Sequence, residues 1–279
     1  MQTPDICVFH GFCPDGFTSA WAVWKKFGDA VEYRHGSYGS PPPTVDGKHV
    51  LLVDFSYKRP VLDEMLLKAA SITIFDHHVT SQADLQPLLD SGKVGGLFDM
   101  NRSGCGLTWD ILHPNILRPR IIDFVEDRDL WRWKFGDLTK FACLWLDSFE
   151  MKFDQWDAAS AQLESDPTEA YKIGSYLYKR HMKNCESMIA ATLQRVNIAG
   201  FDVPCCNVSH LYCSEVGNIL AKRDDAPFSA TFFINKDGDT VYSLRSIDSK
   251  EDVSAIALKW GGGGHRNAAG FRLKPGETL

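Results

Sequence analysis

The sequence predicts an α/β protein: a doubly wound, mostly parallel sheet in an N-terminal domain, joined by a long helix to a smaller α+β C-terminal domain. Three observations predict it. Short β-branched and aromatic runs alternate with helical patterns from Ile6 to Asp99, as βαβ units do. A periodic stretch from Pro167 to about Arg195 is longer than an ordinary connection and opens on a proline, which suits a first helical turn. Beyond it the order changes to strand-rich segments, with a hairpin signal at Asp237-Gly238. The expected boundaries are 1–165 for the first domain, 166–195 for the connecting helix and 196–279 for the second domain.

Ile6-Cys7-Val8-Phe9-His10 is a compact apolar run that ends in histidine. Gly11 to Gly16 turns the chain, punctuated by Gly and Pro. Thr18 to Phe27 has helical spacing, with Thr18 or Ser19 as its cap. Val31 to His35 reads as a second strand. A proline-rich loop, Ser40 to Thr44, separates it from a third, His49 to Ser56, which carries Asp54 near its end. Pro60 to Ala70 is a helix pattern. Ile72-Thr73-Ile74-Phe75 is a fourth strand, stopped by Asp76-His77-His78. Gln82 to Leu89 is helical, and Gly95 to Asp99 is a fifth strand. Leu107 to His113, Arg118 to Trp131, Asp137 to Phe149 and Phe153 to Leu163 read as helices; Trp145, Phe149 and Trp156 are expected in the core. In the second domain Val196 to Val203, Phe228 to Asn235 and Thr240 to Ser246 read as strands, Ser214 to Lys222 and Asp252 to Trp260 as helices.

Composition narrows the function. No run is long and apolar enough to span a bilayer, and no signal-like block precedes the first strand. The eight cysteines form no Cys-x-x-Cys pair, so a reducing, cytoplasmic setting without a membrane partner is expected. A net charge of −6 argues against a general duplex binder, which carries a basic face. It leaves room for a short anionic substrate, because bound divalent ions are often the largest charges in a site.

Strands one, three and four end in His10, in Asp54, and in Asp76 with His78. In a parallel sheet those ends share one edge, where open α/β sheets bind ligands. Carboxylates and imidazoles without a thiolate requirement suit manganese, magnesium or zinc-like ions, with manganese favoured by ligand softness. Each residue also has a plainer reading: a hydrogen-bonded His10, and Asp54 and Asp76 as helix caps. The coincidence of three strand ends favours a shared metal site. Arg102 and Ser103, in the segment Asn101 to Gly106, precede a helix and form either a phosphate cradle or a capping turn. Gly261 to Gly264 permit close backbone approach to a ligand, and successive N–H groups there would make an anion nest. His265 and Arg245 are candidate phosphate ligands beside it; a flexible linker is the plainer reading.

Asp76-His77-His78 resembles the signature of the DHH phosphoesterases, and Trp260-Gly261-Gly262-Gly263-Gly264-His265-Arg266-Asn267-Ala268-Ala269-Gly270-Phe271 resembles the glycine-rich signature of the DHH-associated C-terminal domain. The resemblance covers nearly the whole chain and is weakest over roughly 130–200. It implies a metal-dependent phosphoesterase whose first lobe does the chemistry and whose second lobe holds the rest of the substrate. An aspartate of the family's fourth motif closes the metal site; Asp127 is expected there, with Asp129 behind it. The first motif departs from the family, which has a histidine and then two aspartates separated by one residue. Setting Ser19 at the helix entry puts Asp15 at the second aspartate and Cys13 at the first; the alternative register puts Phe17 at the second. In the former, Asp15, Asp54, His78 and Asp127 form one metal site, and His10 with Asp54 a reduced second one beside Cys13. Asp54 is then the bridging ligand, and Asp76 and His77 support the catalytic site. Arg245, Gly263, Gly264 and His265 anchor a phosphate or terminal nucleotide. The implied substrates are short oligonucleotides, dinucleotides and related nucleotides, and a homodimer is compatible with the family. Two other readings stay open: a polyphosphate hydrolase, and a nucleotide-binding protein that has lost hydrolysis through Cys13.

Overall fold

The computed structural model describes residues 2–279. The chain divides into two compact units, one up to Tyr178 and one of Lys179–Leu279. The first unit runs β1 (Ile6–His10), α1 (Pro14–Phe27), β2 (Glu32–Gly36), β3 (His49–Val53), α2 (Arg59–Leu66), β4 (Ser71–Asp76), α3 (Val79–Asp90), β5 (Gly95–Phe98), α4 (Gly104–Leu112), α5 (Arg120–Asp129), α6 (Asp137–Leu146) and α7 (Phe153–Ser165). Its five strands form one parallel sheet in the order β2-β1-β3-β4-β5.

The apolar runs of β1, β3 and β4 are uninterrupted because helices cover both faces of the sheet. Ile6, Val8, Val50, Leu52, Ile72 and Ile74 meet Leu62 and Met65 of α2 and Leu85 and Leu88 of α3. The intervening residues Cys7, Leu51, Val53 and Phe75 meet Val23 of α1 and Leu107 and Leu112 of α4. Successive strand side chains point to opposite faces, so one run of residues feeds two cores. Each aliphatic side chain buried in this way contributes about 1.5–3 kcal/mol. A second, aromatic core lies among α1 and α4–α7, where Trp145 and Trp156 are buried and Phe149 packs against them. The Trp156 indole donates to Thr18 Oγ1 at 3.1 Å, which satisfies its buried N–H.

The helix α8 (Thr168–Thr192) contains the division between the units. The second unit continues with β6 (Gln194–Ile198), β7 (Phe201–Asn207), α9 (Cys213–Ala221), β8 (Ser229–Ile234), β9 (Thr240–Arg245), α10 (Val253–Leu258), β10 (Gly263–His265) and β11 (Ala268–Leu273). These six strands form a mixed sheet in the order β10-β11-β9-β8-β7-β6, with only β7 and β8 parallel. The hairpin expected at Asp237-Gly238 joins β8 to β9, with Gly238 at φ 82°. Two expectations are corrected. The single strand expected from Val196 to Val203 is a hairpin that turns at Ala199 and Gly200, at φ 56° and 91°. The glycine run is no linker: Gly263–His265 pair with Ala268–Gly270, and a Cβ at Gly262 or Gly264 would collide with the β11 backbone. Among the described residues no helix is long and apolar enough to cross a membrane.

Leu52 is fully buried in the central strand. Leu52→Ala is expected to destabilise the protein by about 2–5 kcal/mol. Urea titration should show a lower midpoint at an unchanged slope.

Candidate metal centre

The strand order reverses between β1 and β3, because the chain leaves β1 for one neighbour and returns on its other side. Open α/β sheets bind ligands in the crevice beside such a point. His10 ends β1 there, and Asp54 follows β3. Asp54 is 1% exposed and holds φ at 54°, a region that few residues other than glycine adopt. Gly104 makes this possible, since a Cβ at that position would collide with the Asp54 side chain.

Asp54 stands between two histidines. Its Oδ1 lies 3.0 Å from His77 Nε2. Its Oδ2 lies 3.5 Å from His10 Nδ1 and, among the described residues, has no hydrogen-bond partner. Two groups of potential ligands therefore share this carboxylate: Asp15, Asp54 and His77 in one, His10, Asp54 and His78 in the other. Within each group the ligand atoms lie within 4.8 Å of one another. Asp15 Oδ2 and Asp129 Oδ2 also approach His77 Nε2, at 3.6 and 3.7 Å.

Backbone amides hold Asp15 in place. The first turn of α4 donates to it from Gly104 N at 2.7 Å and Cys105 N at 2.9 Å. A helix N-terminus favours an anion, and here the protein's own carboxylate is that anion. Of the two readings of Arg102 and Ser103, a phosphate cradle or a capping turn, the structure has the capping turn. Ser103 is the N-cap of α4, accepting from Gly106 N at 3.3 Å. Arg102 is ion-paired with Asp110 at 2.8 Å and Glu126 at 3.2 Å.

Asp76 is fully buried and accepts from the backbone N of His77 and of His78, at 2.7 and 3.2 Å, and from Ser56 Oγ at 2.5 Å. Its Oδ1 also lies 2.7 Å from His78 Nδ1. A carboxylate on Nδ1 fixes the ring and makes Nε2 the nitrogen offered to a ligand. Asp127 points elsewhere. It accepts from Lys134 N at 2.7 Å, Phe135 N at 3.3 Å and the Thr139 hydroxyl, anchoring the turn into α6. Two residues further on, and so on another face of the helix, Asp129 faces His77. The expected set of Asp15, Asp54, His78 and Asp127 is thus replaced by Asp15, Asp54 and His77, with Asp129 adjoining. The signal that separates the two histidines was available: consecutive side chains leaving a strand turn to opposite sides. Nothing comparable in the sequence separates Asp129 from Asp127.

Burial works against the charge on Asp54, but the imidazoles of His10 and His77 on either side of it hold its carboxyl well below the usual carboxylate range. Burial pulls His77 down; the hydrogen bond to Asp54 and the charges of Asp129, Asp54 and Asp15 outweigh it and push the imidazole up to about 10. Burial raises Asp15 and Asp129, and Asp54 raises both further. Burial, then Asp54, Asp15 and Asp129, raises the Cys13 thiol, which belongs to neither converging group. An oxygen- and imidazole-rich donor set, with a buried carboxylate oxygen lacking a partner, fits a divalent cation.

No family model matches the chain. It is 30% identical over 289 residues to the uncharacterized protein R106 of Acanthamoeba polyphaga mimivirus, a match covering 96% of this chain and 67% of that one. It is 25% identical over 240 residues to the oligoribonuclease NrnB of Bacillus subtilis, covering 76% of this chain and 55% of the relative, so it spans just over half of that protein's length. Among solved structures, RecJ of Thermus thermophilus in complex with Mn2+ matches 98% of this chain and 50% of its own, at 16% identity and a TM-score of 0.50, a likeness of fold.

His77 gives the metal-free protein a pH-dependent stability. Its folded value lies above the unfolded value of about 6.5, so the contribution is complete below that pH. It is lost as pH rises toward about 10. Denaturant titrations across that interval should show the decline, and His77→Gln should lack it.

Proposed function

The chain belongs to the DHH phosphoesterase family, and we propose that it is a metal-dependent enzyme hydrolysing phosphodiester or phosphomonoester bonds of short oligonucleotides, dinucleotides or related nucleotides. The reading rests on two ligand groups sharing Asp54 at the reversal point of the sheet. Asp15, Asp54, His77 and Asp129 would hold one divalent ion, and His10, Asp54 and His78 another. Manganese is favoured, with magnesium as the other choice: the donors suit both, and the RecJ structure carries Mn2+. A bound ion supplies a water of lowered pKa and polarises a phosphoryl oxygen.

The chain's own residues prepare that chemistry. Asp76 orients His78, and the Gly104 and Cys105 amides fix Asp15. In the second unit Arg245 donates to Ser243 Oγ, Leu244 O and Ser214 Oγ, at 2.9, 2.9 and 2.8 Å. These three partners are neutral oxygens, and the charge of Glu215 also acts on the guanidinium. Arg245, Gly263, Gly264 and His265 are assigned to a phosphate or terminal nucleotide of the substrate. The likeness to an oligoribonuclease and the acidic net charge support short nucleic acids over polyphosphate and over long strands. The ligand groups converge without Cys13, which supports hydrolysis over a binding-only role.

With manganese, the wild type is expected to cleave a dinucleotide faster than a long oligonucleotide. Asp54→Asn should lower turnover by on the order of a hundredfold or more, matching the several kcal/mol that a positioned ion supplies. Release of phosphate from pyrophosphate, with none from the dinucleotide, would move the assignment to polyphosphate. A second comparison separates the two acidic candidates on α5. Asp129→Asn should weaken manganese binding in calorimetry, whereas Asp127→Asn should leave it near wild type and lower thermal stability instead.

A further inference from the structure

The loop from His10 to Asp15 carries an exposed aromatic side chain that neither ligand group uses. Phe12 is 85% exposed and sits at φ 57°. A left-handed backbone at a residue other than glycine is strained, and such residues cluster at functional sites. An exposed phenyl ring at such a position buries little and returns little to the fold. The conformation is nevertheless pinned. Gly11 N donates to Gly36 O at 2.9 Å, tying the loop to the end of β2, and the phenyl ring meets the His35 imidazole with centroids 5.4 Å apart. A second aromatic, Tyr38, is 47% exposed and packs on His10 and His78, at 5.6 and 6.3 Å.

His35 also lines a cavity of about 330 Å³, together with Arg34, Lys48 and Pro41 to Pro43. That is within the range of small-ligand sites. Arg34 and Lys48 both pair with Glu32, at 2.7 and 2.8 Å. Two cations against one carboxylate leave positive charge in the cavity wall.

We propose that Phe12, backed by His35, is a stacking platform for a nucleobase of the substrate. The inference rests on the phosphoesterase reading and adds a source of selectivity to it. Phe12 lies two residues from His10 and three from Asp15, on the loop that joins the two ligand groups, and this closeness in the chain is the ground for placing the nucleoside of a bound phosphate at its ring. Every base has a π-face, so an aromatic platform accepts bases without distinguishing them. It discriminates instead between phosphates that carry a base and phosphates that do not. The adjoining cavity, with its excess cation, gives room to the next phosphate of the strand. Phe12 is the decisive residue because its ring contact is to His35, whereas Tyr38 also supports Phe55 and two candidate ligands.

A dinucleotide containing 2-aminopurine tests this, because stacking quenches its fluorescence. An abasic dinucleotide serves as the base-free control, and Phe12→Ala and Phe12→Trp as variants. Binding to the wild type should quench the probe. Phe12→Ala should bind it roughly tenfold more weakly, within the range that base–aromatic stacking supplies, and quench it less. KM for the dinucleotide should rise similarly at unchanged kcat, the abasic compound should be unaffected, and Phe12→Trp should restore quenching. Unchanged quenching and KM in Phe12→Ala, or an equal loss on the abasic compound, would overturn the platform. A wild type that quenches the probe without cleaving it would keep the platform and sink hydrolysis. A wild type that cleaves the dinucleotide with a KM indifferent to Phe12 would do the reverse.

Discussion

The first unit depends on one buried carboxylate placed between two imidazoles. Asp54 presents Oδ1 to His77 and Oδ2 to His10, and it does so from a left-handed backbone against a glycine. Each surrounding feature has a reason once that placement is given. Gly104 has no side chain because the Asp54 side chain occupies the space a Cβ would take. The reversal of strand order puts β1 and β3 side by side, so that His10 reaches Asp54 at all. α4 starts where it does so that its first amides meet Asp15.

The same arrangement is electrostatically unfinished. Asp15, Asp54 and Asp129 surround one imidazole, and the first two are buried away from solvent screening. The protein alone balances this by raising His77 and by favouring protons on Asp15 and Asp129. A divalent cation does the same work with two charges and no proton, so metal and His77 proton compete for one place. Asp76 stands apart from that competition. Its hydrogen bonds go to Ser56, to the backbone of the two histidines and to His78, so its task is to aim a ring.

The strand–helix order and parallel sheet of the first unit, and the meeting of His10 with Asp54, were legible because apolar runs and strand-end chemistry are local signals; Asp15 followed from the family resemblance, and the second sheet was read only in part. Ligand assignment was less so, for three separate reasons. His77 and His78 are neighbours in sequence yet serve different groups, a consequence of strand alternation. Asp127 and Asp129 both end an amphipathic helix, and only the packing of the Trp131–Gly136 turn onto Asp127 separates them. Ser103 and Arg102 matched a phosphate cradle, but a helix N-terminus serves any anion, and the sequence does not show that Asp15, far away in the chain, arrives there first. The hairpin at Ala199 and Gly200 was missed because a lone glycine after alanine inside an apolar run is a weak turn signal.

The occupied N-terminus of α4 also limits where a substrate phosphate can find positive charge. In the first unit Arg102 is ion-paired with Asp110 and Glu126, Arg118 with the same two residues, and Arg128 with Asp147. Helix amides that might have bound phosphate are bound to Asp15. Positive charge is left at Arg34 and Lys48, which share the one carboxylate of Glu32, and at Arg132, whose guanidinium donates to the Asn101 carbonyl. With most arginines of the first unit paired to its own acids, ions at the shared carboxylate would be the largest positive charge beside Asp54. Charge of this kind attracts any phosphate alike, so the proposed selectivity for a base is placed on an uncharged surface, the exposed ring of Phe12.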